Sequence, residues 1–130
     1  MHEIIKPFVL ALSILVMATP ITVNPVLAAE LVMMEQNACP WCERWHEEIG
    51  VIYNKTAEGK IAPLRVVNIH DEWPDDLSEI RVERLTPTFV LIDDDGNEID
   101  RLRGYTGDEF FWFLIGEMFK KLPSAPDSQG

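Results

Sequence analysis

The chain has 130 residues, the size of a single domain, and a formal net charge of −11 at pH 7, which we interpret as favouring solubility. A surface this acidic repels nucleic acid and anionic lipid, so the composition argues against a nucleic-acid-binding protein. The two cysteines, Cys39 and Cys42, lie close together. Because a disulfide across so short a loop adds little stability, the pair indicates redox chemistry rather than a structural bridge.

The N-terminal residues 1–28 have the order of a secretory signal peptide. Lys6 precedes an apolar run over 8–17, and the segment ends in the small-residue site Val26-Leu27-Ala28. Pro20 interrupts the apolar stretch, which is shorter than the roughly 20 residues that a membrane-spanning helix needs. We therefore predict cleavage after residue 28 and export to the periplasm, and the alternative is an uncleaved membrane anchor.

The rest of the sequence predicts one domain over 29–122 and a disordered tail over 123–130. Its apolar periodicities predict four strands and three helices in the order β-α-β-α-β-β-α. The predicted strands cover 31–35, 64–69, 88–92 and 98–103, and the predicted helices cover 40–55, 76–82 and 107–122. A parallel β-α-β unit followed by a hairpin predicts an α/β fold, with helices on both faces of a central mixed β-sheet.

Local signals indicate where these elements begin and end. Pro40 suits the first helical turn, where its missing N–H does no harm, and Gly59 predicts a helix stop. Thr106 and Glu109 have the spacing of a capping box at the start of the last helix. The run over 88–92 is apolar nearly throughout, which is typical of a strand buried on both faces.

The segment Cys39-Pro40-Trp41-Cys42 lies where the first strand gives way to the first helix. A sulfur at that helix start faces free backbone N–H groups and the positive end of the helix dipole, which stabilise the reactive thiolate. We therefore predict that Cys39 is the catalytic nucleophile, with an exposed sulfur. Cys42 lies one turn further along, on the apolar face, which predicts a sheltered catalytic thiol that resolves mixed disulfides.

Three further residues are predicted to bind substrate. Trp41 lies between the cysteines, where an exposed indole offers an apolar docking surface beside the sulfur. Pro87 precedes the buried strand over 88–92, and an X–Pro bond is where a cis peptide is tolerated. A cis Pro87 would lie against the cysteine pair and present the backbone of Thr86 to an extended substrate segment.

These motifs resemble those of the thioredoxin superfamily over nearly all of 31–122. The resemblance rests on Cys39-Pro40-Trp41-Cys42, Thr86-Pro87-Thr88-Phe89, the Asp95-Gly96 turn and Gly104. The chain is also similar to the small periplasmic thioredoxins of bacterial sulfur oxidation, the SoxS type. That similarity is carried by Met34-Glu35-Gln36, Trp45-His46, the segments 53–59 and 62–64, Gly104-Tyr105 and Phe110-Phe111-Trp112.

The resemblance implies a thioredoxin fold in which Cys39, Cys42 and Pro87 are the nucleophile, the resolving thiol and the cis-proline. It also implies a periplasmic reductant of protein disulfides that keeps the thiol of a sulfur-carrier protein usable. Electrons would come from a membrane thiol transporter. The redox-active disulfide of Cys39 and Cys42 serves in place of a cofactor, no metal is required, and we expect a monomer.

Two charged residues of thioredoxins are missing from this chain. The buried Asp of the first strand corresponds to a position near Met33, and the Lys of the next strand to one near 66–67, where both residues are valine. The usual proton acceptor for Cys42 is therefore absent. Glu35 in the first strand and Glu43 on the first helix are the nearest candidates to replace it.

Three other functions stay open on the sequence alone. The same chemistry serves a disulfide-forming oxidant or isomerase, and the Pro-Trp between the cysteines resembles the dipeptides of glutaredoxins and periplasmic oxidants. A copper or zinc carrier would use both thiols, with His46 or His70 as a further ligand. A non-catalytic domain with a stable disulfide is the third. The acidic turn over 93–97 does not match an EF-hand, because Leu91 would occupy its first position.

Overall fold

The computed structural model of the chain describes residues 29–123. Its strands are β1 (Glu30–Glu35), β2 (Leu64–Asn68), β3 (Thr88–Ile92) and β4 (Glu98–Arg103). Each of these strands begins and ends within one residue of its predicted bounds. The predicted signal peptide at 1–28 and residues 124–130 of the predicted tail lie outside the described residues.

Strand β1 joins two kinds of strand pairing within one four-stranded sheet of order β2-β1-β3-β4. It runs parallel to β2, with Met33 opposite Val66, and antiparallel to β3, with Met33 opposite Phe89. Strands β3 and β4 form an antiparallel hairpin. All five residues of β3 are buried, because both faces of this interior strand are covered. The predicted mixed sheet, a parallel unit followed by a hairpin, is confirmed.

The helical segment after β1 is continuous but not uniform. Helix α1 (Pro40–Trp45) leads into a π-helical turn (His46–Gly50), and α2 (Val51–Tyr53) completes the segment. Pro40 occupies the first turn of α1, as predicted. A π-helical turn has wider hydrogen-bond spacing than an α-helix, and such turns often lie near functional sites. The predicted helix over 40–55 is therefore correct in position, although its periodicity gave no sign of the wider turn.

A separate helix, α3 (Ala57–Ile61), contains Gly59, so the predicted helix stop at this residue is wrong. The hydroxyl of Thr56 caps α3 by accepting the N–H of Gly59 at 3.1 Å. A Cβ added at Gly59 would lie 2.0 Å from the backbone oxygen of Tyr53. The glycine is therefore required because two helical segments approach each other closely here.

The predicted helix over 76–82 is wrong as an α-helix. The structure has one 3₁₀ turn, Asp75–Leu77, in which backbone N–H groups bond to oxygens three residues back. The N–H of Ile80 bonds to the oxygen of Leu77 in the same way. This tighter spacing directs Leu77 and Ile80 together onto the sheet.

The last helix, α4 (Asp108–Phe119), begins one residue later and ends earlier than predicted. Gly107 is its N-cap, with a φ of 123° that favours glycine, and no side chain caps this end. The predicted capping box of Thr106 and Glu109 is therefore wrong. The capping box would require Thr106 at the N-cap, whereas Gly107 occupies that position.

The two faces of the sheet bury separate cores. On one face, the helices pack Trp45, Tyr53 and Phe111 against Met33 and Phe89. Trp45 is fully buried at this face. On the other face, the 3₁₀ turn and the loop after it cover the alternate residues of β1 and β3. No helix within residues 29–123 is both long and apolar enough to cross a bilayer.

Candidate active site

The loop between β1 and α1 places the two cysteines at the start of the helical segment. Ala38 has a φ of 56°, and the turn at this residue makes Cys39 the N-cap of α1. Cys39 and Cys42 form a disulfide with an S–S distance of 2.08 Å. The backbone N–H of Cys42 donates to the sulfur of Cys39 at 3.2 Å. The helix start therefore directs a backbone donor at one sulfur of the pair.

Burial of the two cysteines differs less than the sequence suggests. Cys39 retains 7% of its accessible surface in the disulfide form, and Cys42 retains 3%. The expectation of an exposed Cys39 is therefore wrong for this state. The side chain of Thr86 covers the sulfur of Cys39, with 3.4 Å between Oγ1 and Sγ. Trp41, beside the pair, is 53% exposed, in agreement with its predicted position.

The segment before β3 lies directly against the disulfide. The peptide bond between Thr86 and Pro87 is cis, and both residues are buried. The carbonyl of Pro87 accepts the N–H of Gly104 at 2.7 Å, which ties this segment to the end of β4. Gly104 has a φ of 84°. The fold therefore brings Cys39, Thr86 and Pro87 to one place from two distant parts of the chain.

An open groove of about 450 Å³ lies beside the disulfide. Three segments supply its lining: Trp41 and Arg44 from α1, Leu85 and Thr86 from the loop before β3, and Gly104 and Tyr105 after β4. Leu85 and Trp41 are both more than half exposed. The groove is therefore apolar at its rim, and Thr86, which contacts the sulfur of Cys39, forms part of its wall.

Arg44 connects the two aromatic sides of the groove. Its guanidinium carbon lies 5.7 Å from the ring centroid of Trp41 and 5.9 Å from that of Tyr105. Its Nε donates to Glu48 at 2.8 Å, and the Tyr105 hydroxyl donates to the same carboxylate. Hydrogen bonds from Tyr105 and then Arg44 hold the pKa of Glu48 below its ordinary value. Burial, and then the bond to Glu48, raise the pKa of Tyr105.

Sequence reasoning missed Arg44, Glu48 and Tyr105 as part of the site. The spacing of Arg44 and Glu48 was a usable signal, because residues four apart on a helix form ion pairs. In the sequence, Tyr105 carries only part of the resemblance to SoxS-type proteins. Its distance from Glu48 along the chain, 57 residues, gave no local pattern that joins them.

The candidate proton acceptors for Cys42 have different surroundings. Met33, at the position of the thioredoxin Asp, is fully buried and apolar. Glu35 lies on the same face of β1, and its carboxylate contacts Nε2 of His46 at 2.6 Å. Glu43 is exposed on α1. Of the two carboxylates, only Glu35 therefore points toward the face that the cysteine-bearing helix covers.

A chain of polar side chains ends at the Cys39 sulfur. The Nε2 of Gln36 donates to Oγ1 of Thr86 at 2.8 Å, and the Thr86 hydroxyl donates to the sulfur. On its other side, Oε1 of Gln36 lies 3.0 Å from Nε2 of His70. Sequence reasoning did not identify this chain, because Gln36 is 50 residues from Thr86 and 34 from His70.

Within residues 29–123, one group of at least three potential metal-ligating side chains lies close enough to share an ion. It consists of Asp93, Asp94 and Asp95. The backbone N–H groups of Asp95 and Asn97 already donate to the carboxylate of Asp93, as in a polar hairpin turn. Neither His46 nor His70 forms such a group with the cysteines.

Comparisons with known proteins agree with this geometry. A family described as a thioredoxin-like domain matches residues 29–118. The solved structure of the periplasmic thioredoxin SoxS from Paracoccus pantotrophus, in its reduced form, shares 37% identity with a TM-score of 0.67. The match covers 73% of this chain and 99% of SoxS. Comparison with curated proteins gives no significant match.

More distant structures share the fold alone. A thioredoxin from Thermus thermophilus is 19% identical with a TM-score of 0.55, and the match covers 72% of this chain and 75% of that one. A thioredoxin-fold protein from Helicobacter pylori is 22% identical with a TM-score of 0.52, covering 77% and 75%. The family match over residues 29–118 and the 37% identity to SoxS show that the chain belongs to the thioredoxin-like family, and its fold and Cys39–Cys42 pair are those of a thiol–disulfide oxidoreductase.

Proposed function

We propose that this protein is a periplasmic reductant of protein disulfides in which Cys39 is the nucleophile and Cys42 the resolving thiol. The observation that carries the chemistry is the position of Cys39 at the helix start, with the N–H of Cys42 directed at its sulfur. The direction of electron flow is supported by similarity to a periplasmic thioredoxin along nearly that protein's whole length.

The reaction transfers two electrons from the cysteine pair to a substrate disulfide. The thiolate of Cys39 attacks one substrate sulfur, which forms a mixed disulfide and releases the other substrate sulfur as a thiolate that takes up a proton. Cys42 then loses its proton and attacks the sulfur of Cys39. This step releases the second substrate thiol and leaves the Cys39–Cys42 disulfide.

Two donors favour the thiolate form of Cys39. One is the backbone N–H of Cys42 at 3.2 Å, and the other is the hydroxyl of Thr86 at 3.4 Å. Hydrogen bonds to a charged acceptor are stronger than those to a neutral one, so both stabilise thiolate more than thiol. The same stabilisation of the reduced form also favours an oxidant, which makes a disulfide donor the second candidate function.

The groove beside the disulfide is the proposed binding site for an extended substrate segment. Trp41 and Leu85 offer apolar contacts at its rim, and Thr86, which precedes the cis-proline Pro87, contacts the sulfur of Cys39. Arg44 lies against the ring of Trp41 and stabilises that rim. The groove is open rather than enclosed, which suits part of a protein substrate better than a small molecule.

The partners and the location follow from the same proposal. Residues 1–28 would direct export and be removed, and the domain would act as a monomer on a periplasmic protein disulfide. A sulfur-carrier protein is the proposed substrate. A membrane thiol transporter would reduce the Cys39–Cys42 disulfide again after each cycle, so that no bound cofactor is needed.

The mixed disulfide gives a direct test of the assigned roles. We expect the Cys42→Ser variant, after reduction, to form a stable covalent complex with a disulfide-bonded model protein, because nothing resolves it. The Cys39→Ser variant should form none. Equal trapping by both variants would show that the two thiols are interchangeable and would contradict the assigned roles.

A further inference from the structure

The polar chain His70–Gln36–Thr86 reaches the sulfur of Cys39 through Thr86, a residue of the groove wall. Gln36 lies in the loop after β1 and is partly buried, Thr86 is buried before β3, and His70 is exposed just after β2. The consecutive distances are 3.0 Å, 2.8 Å and 3.4 Å from His70 to the sulfur. Three segments that are far apart in sequence therefore meet at one hydrogen-bonded path.

The orientation of the Gln36 amide decides where the proton of the Thr86 hydroxyl points. The amide nitrogen of Gln36 can only donate, so Oγ1 of Thr86 accepts from it. A hydroxyl has one proton, and that proton is then free to point at the sulfur of Cys39. If the amide were reversed, its oxygen would accept the hydroxyl proton instead. The sulfur would then lose a donor without any movement of the backbone.

His70 favours the first of these two amide orientations when its ring carries a proton on Nε2. Its Nε2 faces Oε1 of Gln36, and a protonated Nε2 donates to that oxygen but clashes with the hydrogens of a reversed amide. The backbone N–H of His70 donates to Oδ1 of Asn68 at 2.9 Å, which holds the residue at the end of β2. The imidazole is thus placed to maintain the orientation that leaves the Thr86 proton for the sulfur.

We propose that Gln36 is a positioning residue for the Cys39 nucleophile, because its amide fixes the Thr86 hydroxyl as a donor to the sulfur while His70 holds the amide in place. The inference rests on the thiol–disulfide chemistry of the family and is independent of the direction of electron flow. A purely structural role, in which Gln36 only ties two loops together, predicts a change in stability but none in the thiolate.

The test is a titration of the Cys39 thiolate by its ultraviolet absorbance in the reduced full-length protein. Gln36→Met keeps the side-chain length and removes the amide. We expect it to raise the pKa of Cys39 by about half a unit to one unit, the size of a weakened hydrogen bond to a charged group. Thr86→Val, which removes the hydroxyl, should raise it at least as much.

A double-mutant comparison separates the proposed path from other effects. If Gln36 acts through Thr86, then Gln36→Met should cause no further change in the Thr86→Val background. An equal shift in both backgrounds, or none in the wild type, would overturn the proposal. Ile61→Met, at an exposed residue of α3 that takes no part in the path, is the matched control and should leave the thiolate unchanged.

The contribution of His70 is tested separately because this exposed residue can be replaced without risk to the fold. We expect His70→Ala to raise the pKa of Cys39 in the same direction as Gln36→Met, but by less. If His70→Ala left the pKa of Cys39 unchanged, His70 would have no role in orienting the Gln36 amide. Failure of the wild-type protein to exchange with glutathione would instead contradict its oxidoreductase function, since the titration requires no turnover.

Discussion

The backbone nitrogen of Cys42 lies 3.2 Å from the sulfur of Cys39 and donates its hydrogen to it. Cys39 and Cys42 are thus connected by a hydrogen bond as well as by their disulfide. The donor belongs to the first turn of a helical segment whose far side is anchored in the core by Trp45. The geometry around the Cys39 sulfur is therefore set by the packing of the domain.

Arg44 offers a way to change the groove without changing the sulfur. Arg44→Met keeps the apolar stem but removes the charge that lies over Trp41 and Tyr105. We expect the KM for a protein disulfide to rise roughly two- to fivefold, as for loss of an exposed cation–π contact. The reduction potential should not move.

Steady-state reduction of a disulfide-bonded protein checks this prediction. Arg65→Met is the matched control, because Arg65 pairs with Asp76 away from the groove. A change in potential for Arg44→Met, or an equal rise in KM for Arg65→Met, would count against a role for Arg44 in substrate binding.

The bond from Tyr105 to Glu48 makes part of the stability depend on pH. Because hydrogen bonds lower the folded-state pKa of Glu48, its contribution is present above the ordinary Glu value and is lost as pH falls through the lowered one. The hydroxyl of Tyr105 stays protonated over this range. We therefore expect Tyr105→Phe to lower Tm at pH 7 more than it does in acid.

Thermal unfolding of the wild type and of Tyr105→Phe between neutral and acidic pH measures the difference in Tm between the two proteins. The gap in Tm should narrow as Glu48 is protonated and stops acting as a charged acceptor. A gap of constant size across the range would mean that the Tyr105 hydroxyl contributes through packing alone.

Gly59 and Gly116 give a pair of substitutions with opposite expected signs. A Cβ at Gly59 would lie 2.0 Å from the backbone oxygen of Tyr53, so Gly59→Ala should destabilise the protein by about 3 kcal/mol or more. A Cβ at Gly116, in α4, meets nothing within 4 Å, so Gly116→Ala should stabilise by about 0.5–1 kcal/mol.

Urea unfolding of the two variants beside the wild type is sufficient here. If Gly59→Ala were neutral, the close approach of α3 to Tyr53 would be wrong. Gly116→Ala is the control, because it tests whether an alanine in a helix of this protein is destabilising in itself.

The parts of the fold predictable from sequence are those specified by local patterns. The run of β3, Thr88–Ile92, is apolar nearly throughout and rich in β-type residues, which is typical of the strand covered on both faces that the structure contains. The cysteine pair is also predictable from local sequence, because residues 39–42 give both its spacing and its position at the start of a helix.

The rest depends on contacts between segments that local patterns do not join. Gln36 and Thr86 are 50 residues apart, and only the folded sheet brings the loops that carry them together. A glycine often marks the end of a helix, but Gly59 lies within α3 and allows that helix to approach the backbone of Tyr53 closely. The 3₁₀ turn at Asp75–Leu77 has apolar spacing that also fits an α-helix, and docking of Leu77 on the sheet decides between them.

The reduction potential of the Cys39–Cys42 pair, measured by equilibration of the full-length protein with thiol buffers, tests the proposed reducing role most directly. We predict a value near that of thioredoxin, about −270 mV, because such a pair gives up its electrons to protein disulfides. A value near about −120 mV, as for strong periplasmic oxidants, would contradict this account and identify the protein as a disulfide donor.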